Sequence, residues 1–201
     1  MRDSMLRRQK DLILTPVASA AMSSIHPNMV SVLAMLVGVL AGAAIANQFY
    51  LYGLILWLFN RVLDGLDGVV ARVHSKQSDF GGYLDLVLDF IIYLTIPISF
   101  AIAQPSTATF WTLVALIASF YVNTATWMGL SALFEKRRTT TSNRLTSMEM
   151  PVGIIEGAET ILLYSLFCIF PGYTPYLFAL MALLVFVTAG QRVWWAWRNL
   201  N

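Results

Sequence analysis

Four aspartates, Asp64, Asp67, Asp85 and Asp89, interrupt stretches of sequence that are otherwise apolar enough to lie in lipid. A carboxylate at mid-membrane depth costs about 2.5 to 3.5 kcal/mol, so four together require compensation. Ion pairs with Arg61 and Arg72 would neutralise two of them and leave residual buried charge. Two divalent cations would balance all four. On a helix turning about 100° per residue, Arg61, Asp64, Asp67, Gly68, Ala71 and Arg72 share one face, while Gly81, Asp85 and Asp89 form an i, i+4, i+8 stripe. The short link 73–80 makes the two helices antiparallel neighbours, so the two aspartate pairs face each other. All-oxygen ligation suits Mg²⁺ or Mn²⁺, whereas zinc would call for Cys or His nearby. His74 is the one candidate histidine and is not expected to be a ligand.

The elements that must position these groups follow from composition. The chain has 201 residues, of which 58% are hydrophobic and 12% charged, far from the soluble average. Six stretches, 28–46, 49–70, 81–103, 107–134, 152–170 and 174–197, are each long and apolar enough to be read as a membrane span. The expected fold is an all-α membrane protein: six transmembrane helices over 27–201, preceded by a cytoplasmic amphipathic surface helix and linker over 1–26. In that first segment Arg2, Arg7, Arg8 and Lys10 alternate with Met5, Leu6, Leu12, Ile13 and Leu14, a pattern suited to an anionic lipid surface. No signal-peptide cleavage pattern is apparent there, and the segment is expected to be retained.

Threading the six spans through a bilayer puts Lys76, Lys136, Arg137, Arg138, Arg144 and Arg198 on the side of the basic N-terminus, while the opposite loops carry no Lys or Arg. The positive-inside rule then assigns both termini to the cytoplasm. Trp194, Trp195 and Trp197 fit an interfacial belt or packing between helices. A net charge of +2 spread in this way gives no reason to expect nucleic acid. The single cysteine, Cys168, lies in an apolar run and excludes a disulfide framework.

Around the carboxylates stand Gly65, Gly68, Ala71, Gly81 and Gly82. Small residues at such spacings serve close helix packing. They also leave room for a nucleotide diphosphate to approach the metals, with Arg72 meeting its phosphates. Glu156 and Glu159 in the fifth stretch are read either as contacts for a polyol or amine acceptor or as partners of Arg61. The basic loop 136–144 serves topology or an acceptor phosphate, and Asn123 and Thr126 are expected to hydrogen-bond between helices.

Written as D-x2-D-G-x2-A-R-x8-G-x3-D-x3-D, residues 64–89 match the signature of the CDP-alcohol phosphotransferase family at every fixed position. Pro27, Asn28, Met29, Val30 and Ser31 resemble that family's entry to its first span. The run Gly153, Ile154, Ile155, Glu156, Gly157, Ala158, Glu159, Thr160, Ile161 is similar to a subgroup of uncharacterised bacterial inner-membrane members. The resemblance implies transfer of a substituted phosphoryl group from a CDP-alcohol, CDP-diacylglycerol being preferred, to an acceptor alcohol with release of CMP, in phospholipid synthesis. It implies Asp64, Asp67, Asp85 and Asp89 as ligands of two Mg²⁺ or Mn²⁺ ions and Asp89 as the base. It further implies Gly68, Ala71, Arg72, Ser78, Gly81, Asn28 and Ser31 as the nucleotide site. A homodimer in a bacterial inner membrane, with a CDP-linked lipid donor and a small polar or lipid acceptor, completes the expectation. The rival readings are an intramembrane cation transporter and a homologue that binds nucleotide or lipid without turnover; the first leaves Gly68, Ala71, Arg72 and Gly81 unexplained.

Overall fold

The computed structural model describes residues 14–16, 18–19, 25–140 and 153–200, with the side chains of 138–140 left aside. The basic positions Arg2, Arg7, Arg8, Lys10 and Arg144 lie outside the described residues, as do 141–144 of the expected loop 136–144, whose residues 136–140 instead continue the helix Thr107–Thr140. Every regular element among the described residues is helical. We number the principal helices α1 (Pro27–Ala46), α2 (Tyr50–Val73), α3 (Asp79–Ala103), α4 (Thr107–Thr140), α5 (Gly157–Ile169) and α6 (Thr174–Asn199). The chain divides into two compact units, Met1–Ala103 and Gln104–Asn201.

In the first unit, α1 starts where Pro27 takes a first-turn position that needs no N–H, with the His26 ring accepting from the Asn28 amide at 3.3 Å. It ends at Asn47, and Gln48 at φ 65° turns the chain into α2. Past the end of α2, Ser75 at φ 52° reverses the chain, and the Lys76 amide donates back to the Ala71 carbonyl at 2.9 Å. Ser78 then opens α3, its Oγ accepting from the Gly81 amide at 3.0 Å.

Helix α1 packs along both α2 and α3, whereas the backbones of α2 and α3 approach each other at few points. The short link therefore does not make α2 and α3 tightly packed neighbours; α1 is the common support. Glycine explains the preference. A Cβ at Gly38 would lie 2.6 Å from Ile92 Cδ1, one at Gly42 would lie 2.6 Å from Thr95 Cγ2, and one at Gly53 would lie 2.5 Å from Ile45 Cγ1. These three glycines let α1 pack closely against α2 and α3.

In the second unit, α6 packs extensively against α4. Arg192 Nη1 donates to Asn123 Oδ1 at 2.6 Å, so Asn123 does hydrogen-bond between helices, while Thr126 Oγ1 donates within α4 to the Asn123 carbonyl. Among the described residues the fifth apolar stretch is helical over 13 residues, because Glu156 adopts an extended backbone and caps the helix at Gly157. At 1.5 Å per residue that helix is about 20 Å long, short of a hydrocarbon core of about 30 Å. Segments Pro27–Ala46, Asp79–Ala103, Thr107–Arg137 and Pro171–Asn199 are long and apolar enough to cross a membrane. Large apolar side chains such as Leu33, Leu36 and Leu40 stand exposed along α1, as they would against lipid.

Candidate functional site

The first unit contains a cleft of about 180 Å³. Asn28 and Ser31 reach it from α1, Asp67, Gly68, Ala71 and Arg72 from α2, Ser78 from the link, and Gly81 and Asp85 from α3. Residues 53 positions apart in sequence are thereby gathered on one wall by the shared support of α1: a Cβ at Gly81 would lie 3.1 Å from Asn28 Oδ1 and 3.0 Å from Ser78 Oγ. A side chain at Gly68 would meet Arg72 Nη1 at 3.3 Å, and one at Gly82 would meet nothing within 4 Å. Of these three glycines, Gly82 borders open space and widens the cleft, while Gly68 and Gly81 leave room only for the side chains already close to them.

Gly82, expected from the sequence to leave room there, lines the cleft too, as do Pro27, Lys76 and Gln77, which the sequence did not assign to it. Lys76 had been read only as a topology marker. What turns it inward is the left-handed backbone at Ser75 together with a hydrogen bond from Lys76 Nζ to the Ile25 carbonyl at 3.2 Å, neither of which a motif displays.

The four aspartates divide into two kinds of surroundings. Asp67 is buried and accepts from the Ser31 hydroxyl, and Asp85 opens on the same cleft. Asp64 and Asp89 lie beyond the lining, and Arg61 holds them: Nη1 is 2.9 Å from Asp89 Oδ1 and 3.8 Å from Asp64 Oδ2. Asp64 is within electrostatic reach of both Asp89 and Asp85, which links the two groups. Arg61 is therefore the partner of Asp64 and Asp89. Glu156 and Glu159, offered by the sequence as acceptor contacts or as partners of Arg61, form the capping box of α5, each accepting a backbone N–H at the start of that helix.

Among the described residues, no three Asp, Glu, His or Cys side chains converge as a ready-made metal cage. Two observations nonetheless fit the group to a hard cation. The donors are all carboxylate oxygens, and Asp89 Oδ1 is buried with no aligned hydrogen bond, even with Arg61 beside it. A buried carboxylate oxygen left in that condition is a natural ligand for a cation.

Comparison with known proteins agrees with this geometry. The sequence pattern of the CDP-alcohol phosphatidyltransferase family matches residues 24–197. Inner membrane protein YnjF of Escherichia coli (strain K12) is 34% identical over 174 residues, 85% of this chain and 82% of that protein. The bifunctional IPC transferase and DIPP synthase of Archaeoglobus fulgidus is 38% identical over 109 residues, which are 54% of this chain but 21% of that longer protein. In structure, the chain resembles the phosphatidylinositol phosphate synthase of Mycobacterium tuberculosis crystallised with CDP-DAG bound, with a TM-score of 0.69 at 20% identity, covering 92% of this chain and 94% of that one. The same enzyme has been crystallised in complex with manganese and citrate. At this identity the structural likeness establishes the fold.

Proposed function

Since this chain belongs to the CDP-alcohol phosphatidyltransferase family, a family of transferases of substituted phosphate groups in membrane lipid synthesis, we propose that it moves a phosphatidyl group from CDP-diacylglycerol to an acceptor alcohol. The single observation carrying this reading is the cleft that joins Asp67 and Asp85 to Arg72, Ser78, Gly81 and Asn28. Arg72 and the Ser78 hydroxyl, beside Gly68 and Gly81, receive the cytidine diphosphate. The open space beside Gly82 lets phosphate oxygens approach the helix backbone closely, and the Arg72 guanidinium lies against Gly68.

Asp64, Asp67, Asp85 and Asp89 would hold two Mg²⁺ or Mn²⁺ ions, which when bound supply the positive charge that stabilises the departing CMP. Ser31 fixes one oxygen of Asp67 and so orients the carboxylate. Asp89 receives the proton of the acceptor hydroxyl as that oxygen bonds to the phosphorus bearing diacylglycerol. The phosphoanhydride bond to CMP breaks with its electron pair on CMP, giving a phosphodiester. The manganese and CDP-DAG bound by the distantly related M. tuberculosis enzyme support these assignments.

Residues 1–26 form an amphipathic surface helix and linker, and 27–201 form a six-span domain with both termini in the cytoplasm of a bacterial inner membrane, assembled as a homodimer. Support for the membrane placement comes from the inner-membrane relative, and support for the cytoplasmic termini from the one-sided distribution of Lys and Arg. The acceptor is named by reconstituting the protein with CDP-diacylglycerol and Mn²⁺ and screening glycerol 3-phosphate, serine, inositol, inositol phosphate and phosphatidylglycerol. One acceptor that yields a new phosphodiester lipid and stoichiometric CMP is expected. Failure with every acceptor and every CDP-linked donor refutes the proposal.

A further inference from the structure

The environment of Arg61 differs from that of an ordinary ion-pair partner. Its Nε donates to Asn60 Oδ1 at 2.7 Å, and Asn60 Nδ2 is in turn anchored to the Ala34 carbonyl at 2.7 Å. Its Nη1 donates to the Tyr93 hydroxyl at 3.3 Å. The guanidinium carbon lies 4.7 Å from the centre of the Trp57 ring and 5.3 Å from that of Tyr93. Neutral amide, phenol and aromatic groups from α2 and α3 thus fix the guanidinium in place, and its side chain is only 7% exposed. The two carboxylates it attracts are more exposed, 25% each, and the nearer one presents an oxygen with no aligned hydrogen bond.

We propose that Arg61 is a fixed internal cation that shares the Asp64 and Asp89 side of the carboxylate cluster with an incoming divalent ion and thereby weakens that ion's binding. The inference rests on the metal reading of the aspartates given above. Because the guanidinium is held by groups other than the aspartates, its charge remains beside them whichever way the carboxylates turn. A second cation entering there meets like charge at close range in a poorly solvated setting, where a single charge changes binding by about tenfold or more. The first cation, on the side of Asp67 and Asp85, is spared most of that repulsion. Arg61 also compensates buried negative charge before metal arrives, which keeps the metal-free fold intact. It is a positioning residue, acting through the aspartates.

The test measures Mn²⁺ binding to the purified protein by the electron paramagnetic resonance signal of the free ion, for wild type, Arg61→Gln and Arg61→Lys. Glutamine keeps hydrogen bonding and removes the charge; lysine keeps the charge and loses the fork. The expected result is that the weaker Mn²⁺ site tightens by about tenfold or more in Arg61→Gln and stays near wild type in Arg61→Lys. Thermal unfolding with and without Mn²⁺ gives a second readout, in which the metal-induced rise is larger for Arg61→Gln than for wild type. A variant that is unstable without metal and restored by Mn²⁺ supports the inference; equal instability with and without Mn²⁺ overturns it. Mn²⁺ affinity that is unchanged or lower in a folded Arg61→Gln protein overturns the inference alone. Absence of saturable Mn²⁺ binding by wild type removes the metal reading, and the inference with it.

Discussion

Replacing Gly81 with alanine separates the role of the cleft wall from that of the helix it belongs to. Gly81 lies in the first turn of α3, and its amide donates to Ser78 Oγ at 3.0 Å. An added Cβ would stand 3.0 Å from Ser78 Oγ and 3.1 Å from Asn28 Oδ1, so both side chains must move by a few tenths of an ångström. For folding, the exchange gains up to about 0.5 to 1 kcal/mol from the lower flexibility of alanine and loses up to about 1 kcal/mol from the disturbed cap. The two nearly cancel, and the melting temperature moves by no more than about 2 to 4 °C. For the reaction, displacing Asn28 and Ser78 weakens one or two polar contacts worth about 0.5 to 1.5 kcal/mol each. That lowers kcat/KM for the CDP-linked donor by about 2- to 150-fold. Steady-state CMP release against donor concentration, beside a melting curve of the same preparation, provides the assay. Gly190→Ala, in α6 with nothing within 4 Å of its added Cβ, serves as reference and retains activity. Donor kinetics within twofold of wild type in a folded Gly81→Ala protein would refute the argument.

Further outcomes follow from the same geometry. Asp67→Asn removes a buried carboxylate that Ser31 orients, and activity falls by about a hundredfold or more together with Mn²⁺ affinity, measured by CMP release and calorimetry. Asn60→Leu breaks the bonds to Arg61 Nε and the Ala34 carbonyl, costing about 1 to 3 kcal/mol in thermal or chemical unfolding. Glu156→Ala loses half of the α5 capping box, costs about 0.5 to 2 kcal/mol and leaves acceptor KM unchanged; a raised KM would instead return Glu156 to the acceptor site.

The aspartate motif and its helical faces were legible because helix periodicity alone decides which residues share a side. Asp64 and Arg61, three residues apart on α2, needed nothing more. The pairing of Arg61 with Asp89 and of Ser31 with Asp67 depended on how α2 and α3 sit on α1, and no local spacing encodes that. From the sequence, the glycines beside the aspartates suggested close packing and an open cleft equally well. Gly38, Gly42 and Gly53, which the motif does not contain, make the tightest contacts between α1 and its neighbours, and only the partner helix reveals which glycine faces it. The short α5 was hidden because an apolar run reads alike whether helical or extended, and a glutamate at the N-cap is a weak stop signal beside Ser, Thr or Asp. Lys76 and Gln77 entered the cleft through a left-handed turn at a serine, a conformation that composition rarely forecasts.

The most direct test of the central claim is metal-dependent CMP release from CDP-diacylglycerol by the reconstituted protein, with Asp89→Asn measured in parallel. The account predicts release that requires Mg²⁺ or Mn²⁺ and an acceptor alcohol and that is abolished in Asp89→Asn, whose fold persists. Release at the wild-type rate by Asp89→Asn, or none from the wild type with any CDP-linked donor, would contradict it.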